Sequence, residues 1–408
     1  MIKGILKSMV VAACVALPIA AQAQTVGAKT FGKGFTFVTA DSTASMKMHV
    51  RMQNLMEVGF NDFINDGVSL DDQSSVKFLV RRYRLKFGGF VLDKRLRYKM
   101  ELGISNRDQG ASKNSEYNSQ SSNIVLDAVI KYQFNKHWDF WFGQTKLPGN
   151  RERVVSSANL QLVDRSRVNS LFNIDRDAGA MLNGEYGTGF VIRPKMAIST
   201  GEGRNVTTKS LGGLSYTGRL ELLPLGKFEG KNADYVLSDL DRQSKPKVAL
   251  GVTYNYNDGA ARQGGQLGAF VEDVTTGKVV ANDLQVVFAD AIVKYNGWSA
   301  LVEYANKWGS QEYDASTVTS SYTTGWGING QVGYLFPSNW EVAGRYTYTA
   351  PDKVDYSSIT ERTEYTLGLS KYIVGHSLKV QSDISYYYEN SQSDDGDVLY
   401  RLQVELQL

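Results

Sequence analysis

The sequence predicts an all-β protein, a transmembrane antiparallel β-barrel of about sixteen strands. Apolar and polar residues alternate with period two along most of the 408-residue chain, which is typical of strands with two different faces. Most predicted strands are close to the roughly ten residues that a tilted strand needs to cross a bilayer. Their connections alternate between short turns and long polar loops, as expected for a barrel between two compartments and not for a secreted β-sandwich.

The N-terminal residues predict export. Two lysines precede an apolar run from Met9 to Ala20, and Ala21-Gln22-Ala23 then offers a small-residue cleavage site. This arrangement indicates a signal peptide over residues 1–23, because the apolar run is too short to span a bilayer as a helix. A lipoprotein cleavage before Cys14 is less favoured, since it would cut inside the apolar run.

Charge and cysteine content exclude several classes of function. The formal net charge is +3, and removal of the signal peptide takes away two lysines and no acids, which leaves +1. So small an excess does not favour nucleic-acid binding, and any electrostatic function has to come from local arrangement. The single cysteine, Cys14, lies in the signal peptide, so the mature chain is not expected to hold disulfides or thiolate metal ligands. No cofactor and no metal is predicted.

We expect residues 24–45 to form an N-terminal periplasmic segment and residues 46–408 to form the barrel. The last strand shows the pattern most clearly, because apolar residues from Val398 to Leu408 alternate with polar ones. The same alternation opens the barrel between Met46 and Val58. One interval, 224–246, is long and charged where a short turn is expected.

The predicted connections follow in chain order. Short turns are expected at Asp93-Lys94, Asn135-Lys136-His137, Asn296-Gly297, Pro337-Ser338-Asn339 and Val374-Gly375-His376. Long loops are expected near 61–75, 105–122, 146–177, 200–211, 258–284, 308–322, 350–360 and 389–397.

One predicted strand, FLVRRYRLKFGGF at residues 78–90, carries basic side chains among apolar ones. Apolar residues are even-numbered before Arg81 and odd-numbered after Arg82, which predicts a β-bulge that turns both arginines to the inner face. In a barrel that crosses a bilayer, the apolar face contacts lipid and the charged face lines water. The inward candidates of the first three strands form the predicted anion pathway: Arg51, Arg81, Arg82, Arg84, Lys86, Arg95, Arg97 and Lys99.

These inward basic residues of the first three strands, here called the basic wall, allow two interpretations. Inward guanidinium and ammonium groups concentrate anions, and a series of weak sites passes an anion along. Alternatively, polar residues simply line an aqueous pore, where bases beside acids give a transverse field without selectivity. Several later strands do mix signs, as Arg219 with Glu221 and Lys379 with Asp383. We favour the anion preference.

The connection at 146–177 is the longest predicted loop and the candidate constriction. Its segment RERVVSSANLQLVDRSRVNSLF has helix-compatible spacing and a moderately apolar middle. Long loops tend to be functional, so we expect this third extracellular loop to fold into the barrel and narrow the pore; the alternative is a solvated surface loop. The candidate constriction residues are Arg151, Arg153, Arg165 and Arg167.

Several stretches, in their order and spacing, resemble the phosphate-selective porin O and P family. They are VRRYRLKFGG, WFGQTKLP, DRDAGAMLNGE, SYTGRLELLPLGKF, GYLFPSNWEVAGRY, EYTLGLSKY and GHSLKVQ, and the resemblance runs over most of the mature chain. The resemblance implies a homotrimer of barrels in the outer membrane of a Gram-negative bacterium, each with a pore narrowed by the third loop. It also implies a ladder of inward arginines, which the matching motif carries to Arg81 and Arg82, with Arg84 beside them.

The resemblance and the basic wall together predict an outer-membrane porin. It would be a passive diffusion channel for small anions, with phosphate or polyphosphate as the substrates that the family implies. Small anions and outer-membrane lipid are the expected partners. Two alternatives stay open: a weakly selective porin for small hydrophilic solutes, and a non-transporting barrel that acts as an adhesin or scaffold.

An enzymatic function finds little support in the sequence. Only three histidines occur, and none has a second histidine or cysteine at metal-ligand spacing. No G-x-S-x-G or H-E-x-x-H motif occurs. Residues 325–330 fit G-x-G-x-x-G, but they lie in a period-two strand, whereas a dinucleotide-binding motif opens a helix. We therefore expect no catalytic residues.

Overall fold

The computed structural model describes residues 31–60, 74–105, 108, 124–206, 211–313, 316–352, 360–389 and 396–408. The predicted signal peptide lies outside the described residues. The strands within the described part of the chain are β1 (Phe35–Val38), β2 (Ser45–Phe60), β3 (Ser74–Val91), β4 (Asp93–Gly103), β5 (Val125–Gln133), β6 (Trp138–Lys146), β7 (Arg176–Gly184), β8 (Val191–Ser199), β9 (Ser215–Leu223), β10 (Lys247–Ala260), β11 (Asn282–Tyr295), β12 (Trp298–Gly309), β13 (Gly325–Leu335), β14 (Trp340–Pro351), β15 (Arg362–Val374), β16 (Leu378–Glu389) and β17 (Asp397–Gln407).

Strands β2 to β17 form one closed barrel of 16 antiparallel strands. Each strand pairs with the next along the chain, and β17 pairs with β2, where Arg401 lies opposite Glu57. Because the sheet closes on itself, the wall strands have no free edge, as a hydrocarbon surrounding requires. The predicted antiparallel barrel is confirmed.

Exposure alternates along the wall strands as the sequence pattern predicts. In β15, Leu367 and Leu369 are exposed on the outer face, whereas Thr366 and Ser370 are buried on the inner face. The outer face is therefore apolar and the inner face polar, the reverse of a soluble protein. The glycine-rich stretch 325–330 lies within β13, as its period-two pattern predicted.

The strand that carries the basic residues has the predicted bulge. Gln53 of β2 lies opposite Arg82, and Asn54 lies opposite Val80, so Arg81 is the extra residue of β3. Both arginines turn inward, with 4% of Arg81 and 5% of Arg82 exposed. The extra residue shifts the alternation by one position, which is why two adjacent side chains share the inner face.

The short strand β1 extends the wall beyond the end of β17. Gln407 of β17 lies opposite Arg51 of β2, and Phe35 of β1 lies opposite Met48, three residues away along β2. Since β3 covers the other side of β2, β1 occupies the position into which β17 would continue. The end of the predicted segment 24–45 thus contacts the barrel, and its placement in the periplasm stays a prediction.

The two ends of the barrel differ in their connections. At one end, here called the short-turn end, few residues join most neighbouring strands. Asn296 and Gly297 make a predicted two-residue turn there with φ of 45° and 89°, values that asparagine and glycine tolerate. The turn predicted at Asp93-Lys94 lies one residue earlier, at Leu92, because β4 already begins at Asp93. The opposite end, here called the long-loop end, carries the longer loops.

The third loop and the β9–β10 insert run inside the barrel. The third loop, residues 147–175, joins β6 to β7 and contains the short helices α1 (Arg151–Val154) and α2 (Arg167–Phe172). The β9–β10 insert, residues 224–246, enters from the short-turn end and contains a 3₁₀ turn at Ala233–Tyr235. Apolar residues of both connections share one buried cluster with the inner wall. Among the described residues, no helix is long and apolar enough to cross a membrane.

A charge on the outer face is expected to destabilise the barrel according to its depth. Leu367→Arg, in the middle of β15, should lower the free energy of unfolding in lipid vesicles by about 2–4 kcal/mol, the cost of arginine at a bilayer midplane. Ile373→Arg, near the short-turn end of the same strand, is the matched control and should cost about 0–1 kcal/mol. Guanidinium unfolding followed by tryptophan fluorescence measures both, and equal losses would contradict an outer face in hydrocarbon.

Candidate pore and its constriction

Wall side chains hold the third loop against one side of the lumen. Lys379 of β16 donates to the carbonyl oxygens of Ala158 and Leu160, at 2.9 and 3.1 Å. Asp383 of the same strand accepts from the backbone N–H of Val163 at 2.9 Å. Because these wall residues point inward, the loop lies inside the barrel, and the predicted inward fold is confirmed.

Contacts within the loop join its two helices. The hydroxyl of Ser166 caps α2 by accepting from the N–H of Asn169 at 3.2 Å. The same hydroxyl donates to the carboxylate of Glu152 in α1 at 2.6 Å. The apolar side chains Val168 and Phe172 of α2 pack against inward apolar residues of β11 and β12. The helix-compatible spacing seen in the sequence therefore gives two short helices that are seated on the wall.

Two of the predicted pathway or constriction residues act as anchors instead. Arg151 is fully buried, and its Nε donates to Asp290 at 2.7 Å in a cluster that also holds Arg219. Arg51 is equally buried, and its Nη2 donates to the hydroxyl of Ser157 at 2.7 Å. Neither residue lines the cavity on the open side of the loop, because each guanidinium ties the third loop to the wall.

An open cavity of about 410 Å³ lies between the third loop and strands β3, β6 and β7. Among the described residues, eight cationic side chains and three aspartates line it, an excess of five positive charges. Charges of one sign in a narrow passage with low-dielectric walls concentrate ions of the opposite sign. The cationic residues are Arg81, Arg82, Arg84, Lys146, Arg153, Arg165, Arg176 and Arg204.

The aspartates of the cavity bridge the loops to the wall arginines. Asp164 of the third loop accepts a hydrogen bond from Arg81 and lies 3.5 Å from Arg82. Burial alone would raise the pKa of Asp164, but these two guanidinium groups outweigh it and hold that pKa well below its ordinary value. Asp108 forms a second bridge, to Arg84 at 2.7 Å. The carboxylates thus fix the arginines in place.

Asp175 forms a third bridge where the loop returns to the wall. Nε of Arg153 donates to it at 2.7 Å, and Arg176 lies 3.8 Å away. Burial raises the pKa of Asp175, but Arg153 and then Arg176 outweigh this effect and hold the pKa far below its usual range. Arg176 also makes two hydrogen bonds to Asp127 of β5, at 3.0 and 3.3 Å. Sequence reasoning did not select Arg176, although it stands between two aspartates at the start of β7.

Lys146 and Arg165 line the cavity and form no ion pair with a described residue. Nζ of Lys146 donates to the carbonyl oxygen of Arg153 at 2.6 Å, and Nε of Arg165 donates to that of Glu152 at 2.7 Å. Burial, and after it the neighbouring Arg153, lower the pKa of Arg165 to about 9, so the group stays cationic at neutral pH. Lys146 was also missed in the sequence, because the predicted loop 146–177 begins at it, whereas it is the last residue of β6.

The basic wall continues from the cavity toward the short-turn end. Lys99 of β4 reaches Asp127 at 2.6 Å, and Lys86 of β3 lies on the same inner face, 3.9 Å from a glutamate of β4. Closer to the rim, Arg97 pairs with Asp139 at 2.6 Å and keeps 42% of its side chain exposed. Acidic residues of neighbouring strands therefore lie beside these cations between the cavity and the short-turn end, and they reduce the net positive charge there.

Two predicted residues lie apart from the others. Arg95 sits at the short-turn rim, where its side chain is 59% exposed and pairs with Asp93 at 2.6 Å. Arg167 opens α2 and lies 3.9 Å from Glu389 at the long-loop end of β16. Neither lines the cavity, because one stands outside the narrow part of the barrel and the other faces away from it.

A closed barrel with an apolar outer face, an inward loop and a charged passage defines the porin class of outer-membrane proteins. The sequence profile of the family "phosphate-selective porin O and P" matches residues 50–407, and the chain belongs to this family. It is an outer-membrane protein. The predicted family and the predicted localisation are confirmed.

Known proteins with similar sequences or folds agree with this class. An uncharacterized protein of Aquifex aeolicus (strain VF5) is 24% identical over 385 residues, which cover 88% of this chain and 86% of the relative. The trimer form of OmpT from Vibrio cholerae has a TM-score of 0.52 at 12% identity, over 90% of this chain and 100% of that one. The outer membrane channel DcaP of Acinetobacter baumannii has a TM-score of 0.56 at 11% identity, over 91% and 99%. At these identities the two structures support the fold alone.

Removing the charge of Asp164 is expected to make the cavity more positive. Asp164→Asn should raise the anion-to-cation permeability ratio roughly tenfold, because one charge at roughly 6 Å in water changes the energy of an anion and of a cation by about 0.7 kcal/mol each, in opposite directions. Reversal potentials across a KCl gradient in planar bilayers measure this ratio. Asp93→Asn at the exposed rim is the control and should leave it nearly unchanged.

The same pair of proteins reports the pKa of Asp164. Because the bulge arginines hold this pKa low, the wild-type carboxylate stays ionised as the pH falls through about 3.9, the ordinary value for aspartate. The difference between wild type and Asp164→Asn should therefore persist from pH 7 down to about pH 4. A difference that has fallen to about half at pH 4 would show an ordinary pKa and contradict the ion pairs.

Proposed function

We propose that the protein is a passive diffusion channel for small anions, and that phosphate-like anions are its substrates. The observation that carries this proposal is the cavity beside the third loop, whose described lining residues include five more positive than negative side chains. A porin needs no other chemistry, since a solute moves down its gradient once it is attracted to the passage and released from it.

The proposed route runs from the cavity along β3 and β4. On the short-turn side of the bulge, basic residues occupy every second position on the inner face, about 6.6 Å apart along each strand. They are Arg84 and Lys86 of β3 and Lys99 and Arg97 of β4. These cations already have carboxylate neighbours, which compete with a passing anion. Competition keeps each site weak, and weak sites let an anion move to the next one.

Arginine chemistry and the family support phosphate-like anions as substrates. A guanidinium group offers paired N–H donors that match two oxygens of a phosphate. The bulge places two such groups side by side in Arg81 and Arg82. Arg165 and Lys146 add charge without an ion-paired carboxylate among the described residues. The cavity therefore suits a compact anion with several oxygens better than a halide.

A weakly selective porin for small hydrophilic solutes is the second candidate. Its support is the part of the passage between the cavity and the short-turn end, where Asp127 and Asp139 lie beside Lys99 and Arg97. Opposite charges across a pore give a transverse field that accommodates polar solutes of either sign. This candidate predicts little preference for anions, which the same electrical measurement detects.

We further propose that three copies assemble in the membrane and that residues 1–23 are removed on export. The trimer form of the similar OmpT structure supports the assembly. So does Asn54, an exposed amide on the otherwise apolar outer face of β2, since an unpaired amide in hydrocarbon costs several kcal/mol. A neighbouring subunit would supply its partner. Native mass spectrometry of the detergent-solubilised protein tests the trimer.

Neutralising the cavity cations that lack an ion pair is expected to weaken anion preference. Lys146→Gln and Arg165→Gln should each lower the anion-to-cation permeability ratio roughly tenfold, because each removes one charge that attracts a passing anion and repels a passing cation. Reversal potentials across a KCl gradient measure the ratio. Arg95→Gln, which removes an exposed charge at the rim, is the matched control and should have little effect. Added phosphate should also reduce the chloride current of the wild type more than that of the cavity variants.

Three outcomes distinguish the candidates. Anion preference that depends on the cavity cations supports the proposal. A reversal potential near zero in the wild type favours the weakly selective porin. A purified, folded protein that conducts no ions would overturn both channel functions and leave the adhesin or scaffold.

A further inference from the structure

The β9–β10 insert meets the third loop inside the barrel. The backbone N–H of Leu237 donates to the carbonyl oxygen of Asn159 in the third loop at 3.0 Å. The side-chain amide of Asn159 donates in turn to the carbonyl oxygen of Tyr235, at 3.4 Å. The insert therefore supports the tip of the third loop from the short-turn side.

Polar side chains of the wall fasten the insert. Lys294 of β11 is buried, and its Nζ donates to the carbonyl oxygens of Ala233 and Ser238, at 2.8 and 2.7 Å. The carboxylate of Asp239 accepts from the backbone N–H of Gly297 at 2.8 Å. Such bonds to backbone groups hold a segment in one position, because each buried polar group would be unsatisfied if the segment left.

Part of the inner wall beneath the insert is apolar. Inward residues of a water-filled pore are polar, yet each of the strands β8 to β12 carries a buried apolar side chain on its inner face near the short-turn end. The insert covers them with Phe228, Ala233 and Leu237, in one cluster that also includes two residues of the third loop. The covered wall residues are Val191, Leu223, Ala249, Ile292 and Leu301.

We propose that the insert is a second, fixed constriction element, which enters from the short-turn end and sets the size limit of the passage. It fills the lumen on the side of β8 to β12 and leaves the passage along β3 to β7. Tyr235 of the insert packs against the apolar cluster, and its hydroxyl accepts from Lys195 of β8 at 2.5 Å. This inference rests on the proposed channel, but it concerns the width of the pore and not its preference for anions.

A deletion tests the constriction. In the register of β9 with β10, Leu222 lies opposite Leu250, which places residue 225 opposite residue 247. Replacing residues 226–246 with Asn-Gly therefore joins the strands by a two-residue turn like that at Asn296 and Gly297. Single-channel conductance should rise roughly twofold, and larger neutral solutes should enter in liposome-swelling assays, because the lumen is wider. Unchanged conductance and solute cutoff in the folded variant would overturn the proposal.

A second variant keeps the test decisive if the deletion does not fold. Phe228→Ala combined with Leu237→Ala loosens the apolar seat while keeping the chain length, and should also raise conductance; no rise would overturn the proposal. Arg95→Gln in an otherwise wild-type chain is the matched control for purification and insertion. The sign of the reversal potential is measured in parallel, so a failure of the proposed anion preference is seen separately from a failure of the constriction.

A cysteine pair tests whether the insert is fixed. The only cysteine of the chain lies in the predicted signal peptide, so Asn159→Cys with Leu237→Cys should give one disulfide on oxidation. We expect the disulfide to form readily and the conductance to be the same before and after its reduction. Failure of the pair to cross-link, or a conductance that changes on reduction, would show a moving gate and overturn a fixed element.

Discussion

The pairing of β17 with β2 is the constraint on which the rest of the structure depends. It removes the last free edge, so every wall strand bonds to two neighbours and the outer face can be wholly apolar. Closure also gives each strand a fixed inner face around an enclosed volume. The backbone N–H and C=O groups of any segment that enters this volume need hydrogen-bond partners. For the third loop and the β9–β10 insert, inward wall side chains such as Lys379 and Lys294 provide them.

The charged side chains of the lumen have two roles: some anchor the third loop, and others act on a passing ion. Arg51 and Arg151 are fully buried and hold the third loop, and breaking such a buried pair costs about 3–5 kcal/mol because one charge is left without a partner. Arg81 and Arg82 do both, since Asp164 fixes them while they still line the cavity. Only the charge left over after these pairings can act on a passing anion. The net excess of the cavity is therefore more informative than the number of its arginines.

Most of the fold and part of the candidate site could be predicted. Strands follow from the period-two pattern, and the bulge at Arg81 was visible because the apolar phase changes there. Site residues were harder, because their roles depend on distant partners: Arg51 donates to Ser157, 106 positions away, and Arg151 to Asp290, 139 positions away. No local pattern reports such pairs, so both arginines were assigned to the passage.

The sequence by itself determined which residues face lipid and which face the lumen, because side chains of a strand alternate with a period of two whatever the strand pairs with. It also determined that the third loop was long enough to enter the barrel. Only the tertiary structure decided which inward charges anchor the loops and which face water. It also decided that the β9–β10 insert fills part of the lumen. Those outcomes depend on closure, which brings loops and strands from remote parts of the chain within hydrogen-bonding distance.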